Sequence, residues 1–145
     1  MKKALSVVLV FSLLCILTAG CGDGTPKGAD GIDVDLSVLN ETMVSAQLSG
    51  MMASPKTYIG KTIKISGVYD TSFFEGTGLT YHYVITKDGD DCCREGMEFM
   101  WNGDHAYPED YPEEKAKIEA VGIFESYEEL GQIYYYLAVD ELAVL

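Results

Sequence analysis

The residues best suited to chemistry are two adjacent cysteines, Cys92 and Cys93, in the acid-rich stretch DGDDCCREGMEF (88–99). Thiolates bind borderline metal ions, and a pair of thiols can also exchange electrons through a disulfide. Structural zinc sites space their cysteines two to four residues apart, so that both sulfurs reach one ion from a tight turn. Adjacent residues of an extended strand point to opposite faces, so this pair could share one ion only from an irregular loop.

Three interpretations of the cysteine pair stay open. In the first, Cys92 and Cys93 form a metal site with His82 as the nitrogen donor, and zinc is the candidate ion. His105 and nearby acids are further candidate ligands. In the second, the two cysteines form a strained vicinal disulfide. In the third, both thiols are reduced and serve only in packing.

The other motifs give no positive indication of an enzyme. The sequence has no Gly-x-Ser-x-Gly elbow, no glycine-rich phosphate loop and no His-Glu-x-x-His. The acids of DGDD (88–91) lack the spacing and the distal glutamate of a calcium-binding EF-hand loop, so we expect a turn there. YPEDYPEE (107–114) is typical of a solvated helix start, although it could also chelate cations or stack on sugars.

The N-terminus has the pattern of an export signal. Lys2 and Lys3 precede an apolar run of 14 residues (4–17), which is too short to span a bilayer core of about 30 Å. The segment LTAGC (17–21) then resembles the bacterial lipobox, with Thr18 in place of the commoner leucine. The resemblance implies that residues 1–20 form a lipoprotein signal peptide and that Cys21 becomes an N-terminus carrying a diacylglyceryl thioether.

Lipidation at Cys21 would fix both a location and a partner. Two or three acyl chains, at about 0.8 kcal/mol per buried CH₂, give stable anchoring where one chain is marginal. We therefore expect a lipid-anchored protein on the extracytoplasmic face of the cell membrane, with membrane lipid as its partner. Cys15 would leave with the signal, so Cys92 and Cys93 would have no further cysteine available, which excludes a disulfide framework.

The charge argues against nucleic-acid binding. The chain holds 10 Lys and Arg against 23 Asp and Glu, a formal net charge of −13. Loss of Lys2 and Lys3 with the signal would leave 8 basic against 23 acidic residues, or −15. Such a surface repels phosphate backbones, so we expect no nucleic-acid partner.

Composition divides the mature chain into a tether and one domain. Residues 21–35 hold four glycines, a proline and four aspartates, too few apolar groups to form a core. We expect a flexible lipidated tether over 21–36, with a typical reach of about 20 Å. Residues 37–145 are enough for a single domain with its own core.

The pattern of that domain predicts one helix followed by five strands. Ser37 or Asn40 can cap a helix whose apolar residues (Val44, Leu48, Met51 and Met52) recur at helical spacing and which Pro55 ends. Period-two segments rich in β-branched and aromatic residues then follow at 61–69, 80–86, 97–101, 117–127 and 132–139. The predicted core comprises Ile63, Ile65, Tyr83, Phe99, Val121 or Ile123, and Leu137.

This order of elements predicts a mainly β fold, a small five-stranded OB-like (oligonucleotide/oligosaccharide-binding) Greek-key barrel preceded by one helix. Gly67 and Gly122 lie inside strand patterns, where we expect bulges or sharp bends. Barrels of this kind usually hold a helix between strands three and four. Here that position contains YPEDYPEEKAK (107–117), which has room for at most one or two helical turns.

Two segments carry a wider resemblance. A Tyr-x-Gly-Lys lead, a glycine in the first strand and a Cys-Cys-x-x-Gly-x-Glu-Phe segment are present as Tyr58, Gly60, Lys61, Gly67, Cys92, Cys93, Gly96, Glu98 and Phe99. In these features the chain resembles a group of small bacterial OB-fold-like lipoproteins of unknown function. The resemblance covers roughly residues 42–140 and implies the fold and the anchor, without a ligand.

Two classes of function therefore stay open. The first is a membrane-anchored binding module for an unknown ligand, with a divalent metal among the candidates. The second is a thiol-based redox or metal-handling protein that uses Cys92 and Cys93.

Overall fold

The computed structural model of the chain describes residues 31–87 and 94–145. Within those residues it has six β-strands, one α-helix and a short 3₁₀ turn at Pro55–Thr57. The elements in chain order are β1 (Val34–Asp35), α1 (Glu41–Ala53), β2 (Thr62–Phe74), β3 (Leu79–Lys87), β4 (Glu95–Trp101), β5 (Lys117–Glu129) and β6 (Gln132–Val144).

The strands close into a barrel of the predicted OB-like type. The sheet order is β1-β2-β3-β4-β6-β5, and β5 pairs back onto β2. The neighbours β4 and β6 are parallel, and the other pairs within the ring are antiparallel. The sixth strand is β1, a two-residue addition that pairs in parallel with the start of β2.

Of the two glycines inside strand patterns, Gly122 lies at an irregularity, as predicted, and Gly67 lies where β2 changes partner. Residues 62–68 of β2 pair with β5 and residues 68–74 pair with β3, so β2 changes partner next to Gly67. A Cβ at Gly67 would collide with the carbonyl oxygen of Ile85. At Gly122 the β5–β6 register shifts, and a Cβ would lie 2.5 Å from the carbonyl oxygen of Ala138. Neither position has room for a side chain.

Most of the predicted core is confirmed. Ile63, Ile65, Phe99 and Leu137 are buried. The helix begins at the predicted cap, where the side chain of Asn40 accepts a hydrogen bond from the backbone N–H of Met43 at 3.0 Å. The helix buries Val44, Leu48 and Met51 against the barrel, whereas Met52 is exposed.

Two strands present the opposite face from the one predicted. Val84, rather than Tyr83, is the fully buried residue of β3, so the Tyr81–Tyr83 face of that strand points away from the core. In β5, Ile118, Ala120 and Phe124 are buried, and neither Val121 nor Ile123 is. Because the side-chain period of a strand is two, a shift of one residue exchanges the two faces completely.

The folded domain extends upstream of residue 37. Val34 and Leu36 are buried members of the core, and the backbone N–H of Leu36 donates to the carbonyl of Lys64. The end of the predicted tether (21–36) therefore overlaps the barrel, and the lipobox-like segment and most of the predicted tether lie outside the described residues. Between β4 and β5, residues 102–116 form turns without a helix. No helix within the described ranges is long and apolar enough to cross a membrane.

Candidate functional site

Five barrel strands enclose a cleft lined mainly by tyrosine and glutamate, which we call the tyrosine cleft. Its volume is about 230 Å³. Phe74 and Ser72 of β2 form one side. The remaining walls comprise four tyrosines and two glutamates: Tyr81, Tyr83, Tyr127, Tyr134, Glu98 and Glu129. Among these described lining residues there is no lysine, arginine or histidine, so the walls carry only acidic charge.

Hydrogen bonds from tyrosines hold both carboxylates in place. The hydroxyl of Tyr127 donates to Glu98, with its oxygen 2.9 Å from Oε1 and 3.2 Å from Oε2. The hydroxyl of Tyr81 donates to Oε2 of Glu129 at 2.6 Å. These pairs join β5 to β4 and β3, so the end of the β5–β6 hairpin is fixed over the outer face of β3 and β4.

The cleft weakens the acidity of its most enclosed carboxyl group. Burial raises the pKa of Glu98, the hydrogen bond from Tyr127 opposes that change, and the negative charge of Glu129 adds to it. Burial also raises the pKa of Tyr83. Burial and the bond to Glu98 raise the pKa of Tyr127. Tyr83 and Tyr127 are therefore neutral at physiological pH, and they face two carboxylates that repel each other.

The cleft occupies the position at which OB barrels bind their ligands. That position is the outer face of the second and third strands of the five-stranded ring, between the loop joining strands one and two and the loop joining strands four and five. Those strands are β3 and β4 here, and the loops are residues 75–78 and 130–131. Phe74 lies beside the first loop, and Glu129 and Tyr134 flank the second.

This cleft cannot be predicted from the order of residues along the chain, because the residues that form it are distant in sequence. Tyr127 is 29 residues from Glu98, and Tyr81 is 48 residues from Glu129. Tyr83 was also predicted to belong to the core, whereas it lines the cleft. One signal was present: Glu98 stands between the buried residues Met97 and Phe99 of a short apolar strand.

His82, the predicted nitrogen donor, lies on the opposite face of β3 from the tyrosine cleft. Its Nδ1 is 2.8 Å from the hydroxyl of the buried Tyr69, and its ring stacks on Tyr111 with 4.2 Å between centroids. Burial lowers the pKa of His82, which favours the neutral ring, and the hydrogen bond with the Tyr69 hydroxyl occupies Nδ1. As a metal ligand His82 would have only Nε2 to offer.

The cysteine pair itself lies outside the described residues. The strands before and after it, β3 and β4, are antiparallel neighbours in the sheet. The set of Cys92, Cys93 and His82 stays a prediction. In the part of the chain that the structure describes, no three His, Cys, Asp or Glu side chains are grouped so that they could hold a metal ion.

An ion-pair network fixes the residue that precedes β4 to the barrel. Asp70 of β2 accepts hydrogen bonds from Arg94, which precedes β4, and from Nζ of Lys115 at 2.7 Å. Burial alone would raise the pKa of Asp70, but the bonds from Lys115 and Arg94 lower it to about 2. Asp70 is therefore ionised throughout the physiological range and holds both Arg94 and the segment before β5 against β2.

Two further surfaces are weaker candidates for a ligand site. A groove of about 550 Å³ between β1, β2, β5 and β6 is larger than the tyrosine cleft, but its Lys64 already forms an ion pair with Glu119 at 2.8 Å. The second surface is the one around His105. The ring of this histidine stacks on Trp101 with 3.7 Å between centroids, so it packs against an aromatic ring. Neither surface combines aromatic walls with an enclosed carboxylate.

No family model matches the chain, and a search of curated proteins returns no match either.

Proposed function

We propose that this protein is a membrane-anchored, extracytoplasmic binding module that holds a small ligand in the tyrosine cleft. The observation that carries the proposal is the position of the cleft on β3 and β4 between the two turns that flank the binding face of OB barrels. Four tyrosine side chains supply aromatic surface, and two fixed carboxylates supply directed acceptors. Binding sites combine an apolar wall with a few placed polar groups in the same way.

The size of the cleft limits the ligand. Pockets that enclose drug-sized molecules have volumes of roughly 300–1,000 Å³. At about 230 Å³ the cleft accommodates a smaller molecule or one end of a longer one. The acidic walls and the net charge of −13 disfavour phosphates and other anions.

The anchoring part of the proposal rests on the lipobox-like segment that ends at Cys21. A lipid on Cys21 would tether the barrel near the membrane and leave the cleft open to extracytoplasmic solutes. The alternative, a thiol-based redox or metal-handling protein using Cys92 and Cys93, rests on the adjacency of the two cysteines.

Ligand-detected NMR tests whether the cleft binds. The full chain, purified in a non-ionic detergent without a sugar headgroup, is screened against monosaccharides, amino acids, aliphatic amines and short carboxylates. Ser72→Trp places an indole in the cleft, and Ser126→Trp places one at an exposed position of β5 that does not line it. We expect at least one hit that Ser72→Trp abolishes and Ser126→Trp retains. Hits that survive Ser72→Trp, or a panel with no hit, would contradict the proposal.

A further inference from the structure

The tyrosine cleft places two carboxylates together without a cation. Glu98 is half-buried between Met97 and Phe99, and Glu129 stands at the end of β5. Each accepts a hydrogen bond from one tyrosine hydroxyl, whereas an ionised carboxylate has about four acceptor positions. Both groups therefore keep unused acceptor capacity toward the cleft, and no described lining side chain can neutralise them.

Aromatic rings surround these carboxylates. The rings of Tyr127 and Tyr134 stack with 5.5 Å between centroids and an interplanar angle of 23°. Tyr81, Tyr83 and Phe74 complete the aromatic lining. A cation near the face of an aromatic ring is attracted by the ring's quadrupole, most strongly where water is displaced. Rings and carboxylates thus favour the same sign of ligand charge.

We propose that the tyrosine cleft binds a primary ammonium group carried on a short aliphatic chain. This inference rests on the proposed function of the cleft as a ligand site. The ammonium donates its three hydrogens toward Glu98 and Glu129, and the aliphatic chain lies against the rings of Phe74 and Tyr134 at the mouth of the cleft.

The alternatives fit this geometry less well. A calcium ion takes six to eight oxygen ligands, and two carboxylates already bonded to tyrosine hydroxyls supply too few. A quaternary ammonium would satisfy the rings but has no hydrogen to donate to the carboxylates. A sugar would stack on the tyrosines and hydrogen-bond to the carboxylates, but it carries no positive charge to offset Glu98 and Glu129.

Calorimetric titration of the full chain in non-ionic detergent separates these ligands. The probes are pentylamine, its uncharged counterpart pentan-1-ol, tetramethylammonium and glucose. Ionic strength is kept near physiological, so that diffuse attraction to the acidic surface is screened. We expect pentylamine to bind in the millimolar range and at least ten-fold more tightly than each of the other three.

A matched pair of variants locates the charge that matters. Glu98→Gln removes one carboxylate from the cleft, and Glu128→Gln removes one from an exposed position of β5 outside it. A hydrogen bond to a charged group supports an affinity change of about ten-fold or more, so Glu98→Gln weakens pentylamine binding by that factor. Glu128→Gln changes it by less than two-fold. Circular dichroism shows whether both variants fold. If Glu98→Gln does not fold, Glu129→Gln, which removes the other carboxylate of the cleft, is used in its place.

Two outcomes would overturn the inference. One is pentan-1-ol or glucose binding as tightly as pentylamine, which leaves the binding-module proposal intact and changes the ligand class. The other is equal weakening by Glu98→Gln and Glu128→Gln, which means that the amine responds to net charge rather than to the cleft. The binding-module proposal fails separately, if Ser72→Trp abolishes no hit in the NMR screen.

Discussion

Removal of one hydroxyl group tests the chemistry of the tyrosine cleft. In Tyr127→Phe the ring remains, but Glu98 loses the hydrogen-bond donor that contacts both of its oxygens. A hydrogen bond to a charged group contributes about 1.5–3 kcal/mol, and a bond between neutral groups about 0.5–1.5 kcal/mol. Because the acceptor of this bond is the Glu98 carboxylate, we expect Tyr127→Phe to lower the free energy of unfolding by about 1.5–3 kcal/mol at pH 7.

The loss should depend on pH in a defined direction. Burial raises the pKa of Glu98 in the folded protein above its usual 4.5, so this group stabilises the fold at low pH and that contribution is lost as pH rises. The bond from Tyr127 lowers that pKa, so its removal raises the pKa further. The titratable groups that interact with Glu98 are Tyr81, Tyr83, Tyr127, Glu129 and Tyr136. Tyr127→Phe should therefore cost more stability at pH 7 than at pH 4.

The free energy of unfolding at pH 7 and at pH 4 is measured by urea unfolding, followed by the fluorescence of Trp101, the single tryptophan. Tyr134→Phe is the matched control, because Tyr134 stacks on Tyr127 but its hydroxyl has no hydrogen-bond partner among the described residues. It should change stability by less than about 0.5 kcal/mol, as exposed substitutions usually do. Two results would refute the stabilising role of the hydrogen bond between Tyr127 and Glu98. One is an equal loss of stability in the two variants, and the other is a Tyr127→Phe loss of stability that is the same at pH 4 and pH 7.

Three further predictions concern the barrel, the anchor and the cysteine pair. Gly67→Ala should lower the free energy of unfolding by about 1–3 kcal/mol, because its methyl group would meet the Ile85 backbone. Gly50→Ala, in open space on α1, should instead raise it by about 0.5–1 kcal/mol; urea unfolding that gives the same sign for both would contradict the crowding at Gly67. Cys21→Ser should leave the protein unprocessed or release it from membranes in cell fractionation, and a processed, membrane-bound variant would exclude the lipid anchor. Native mass spectrometry should show the loss of one zinc on chelation, or a gain of two hydrogens on reduction; if neither appears and Cys92→Ser/Cys93→Ser is fully stable, the pair is not a site.

The fold could be predicted where one strand face was clearly apolar and the other polar. In β2, Ile63 and Ile65 alternate with Lys64 and Ser66, so only one assignment of faces buries the apolar residues. In β3, Tyr81, Tyr83 and Ile85 on one side compete with His82 and Val84 on the other. Both faces are bulky, and the inward face is decided by the packing of His82 against Tyr69 and Tyr111.

The assignment of β5 was wrong for a different reason. Val121 and Ile123 are larger than Ala120 and Gly122, so their size suggested that they face the core. The barrel instead needs small residues inside at this point, because the backbone of β6 approaches Gly122 too closely for a Cβ. This close contact between backbones follows from strand pairing in the closed barrel. The residue period and the composition of β5 do not predict it.

The candidate site depends on long-range pairing even more than the fold does. Apart from Glu98, no tyrosine or glutamate of the cleft stands out in its own strand, and the site exists only because the β5–β6 hairpin extends over β3 and β4. The prediction of His82 as a metal ligand came from its type alone, and its contacts with Tyr69 and Tyr111 show what the ring packs against.

Mapping of a bound amine onto the chain tests the ligand site most directly. Backbone amide shifts of the full chain are recorded by two-dimensional NMR during titration with pentylamine. If the cleft is the ligand site, the largest shift changes lie on β3, β4 and the end of the β5–β6 hairpin, around Tyr83, Glu98 and Glu129. Changes centred on the groove around Lys64 and Glu119, or spread evenly over the acidic surface, would contradict it.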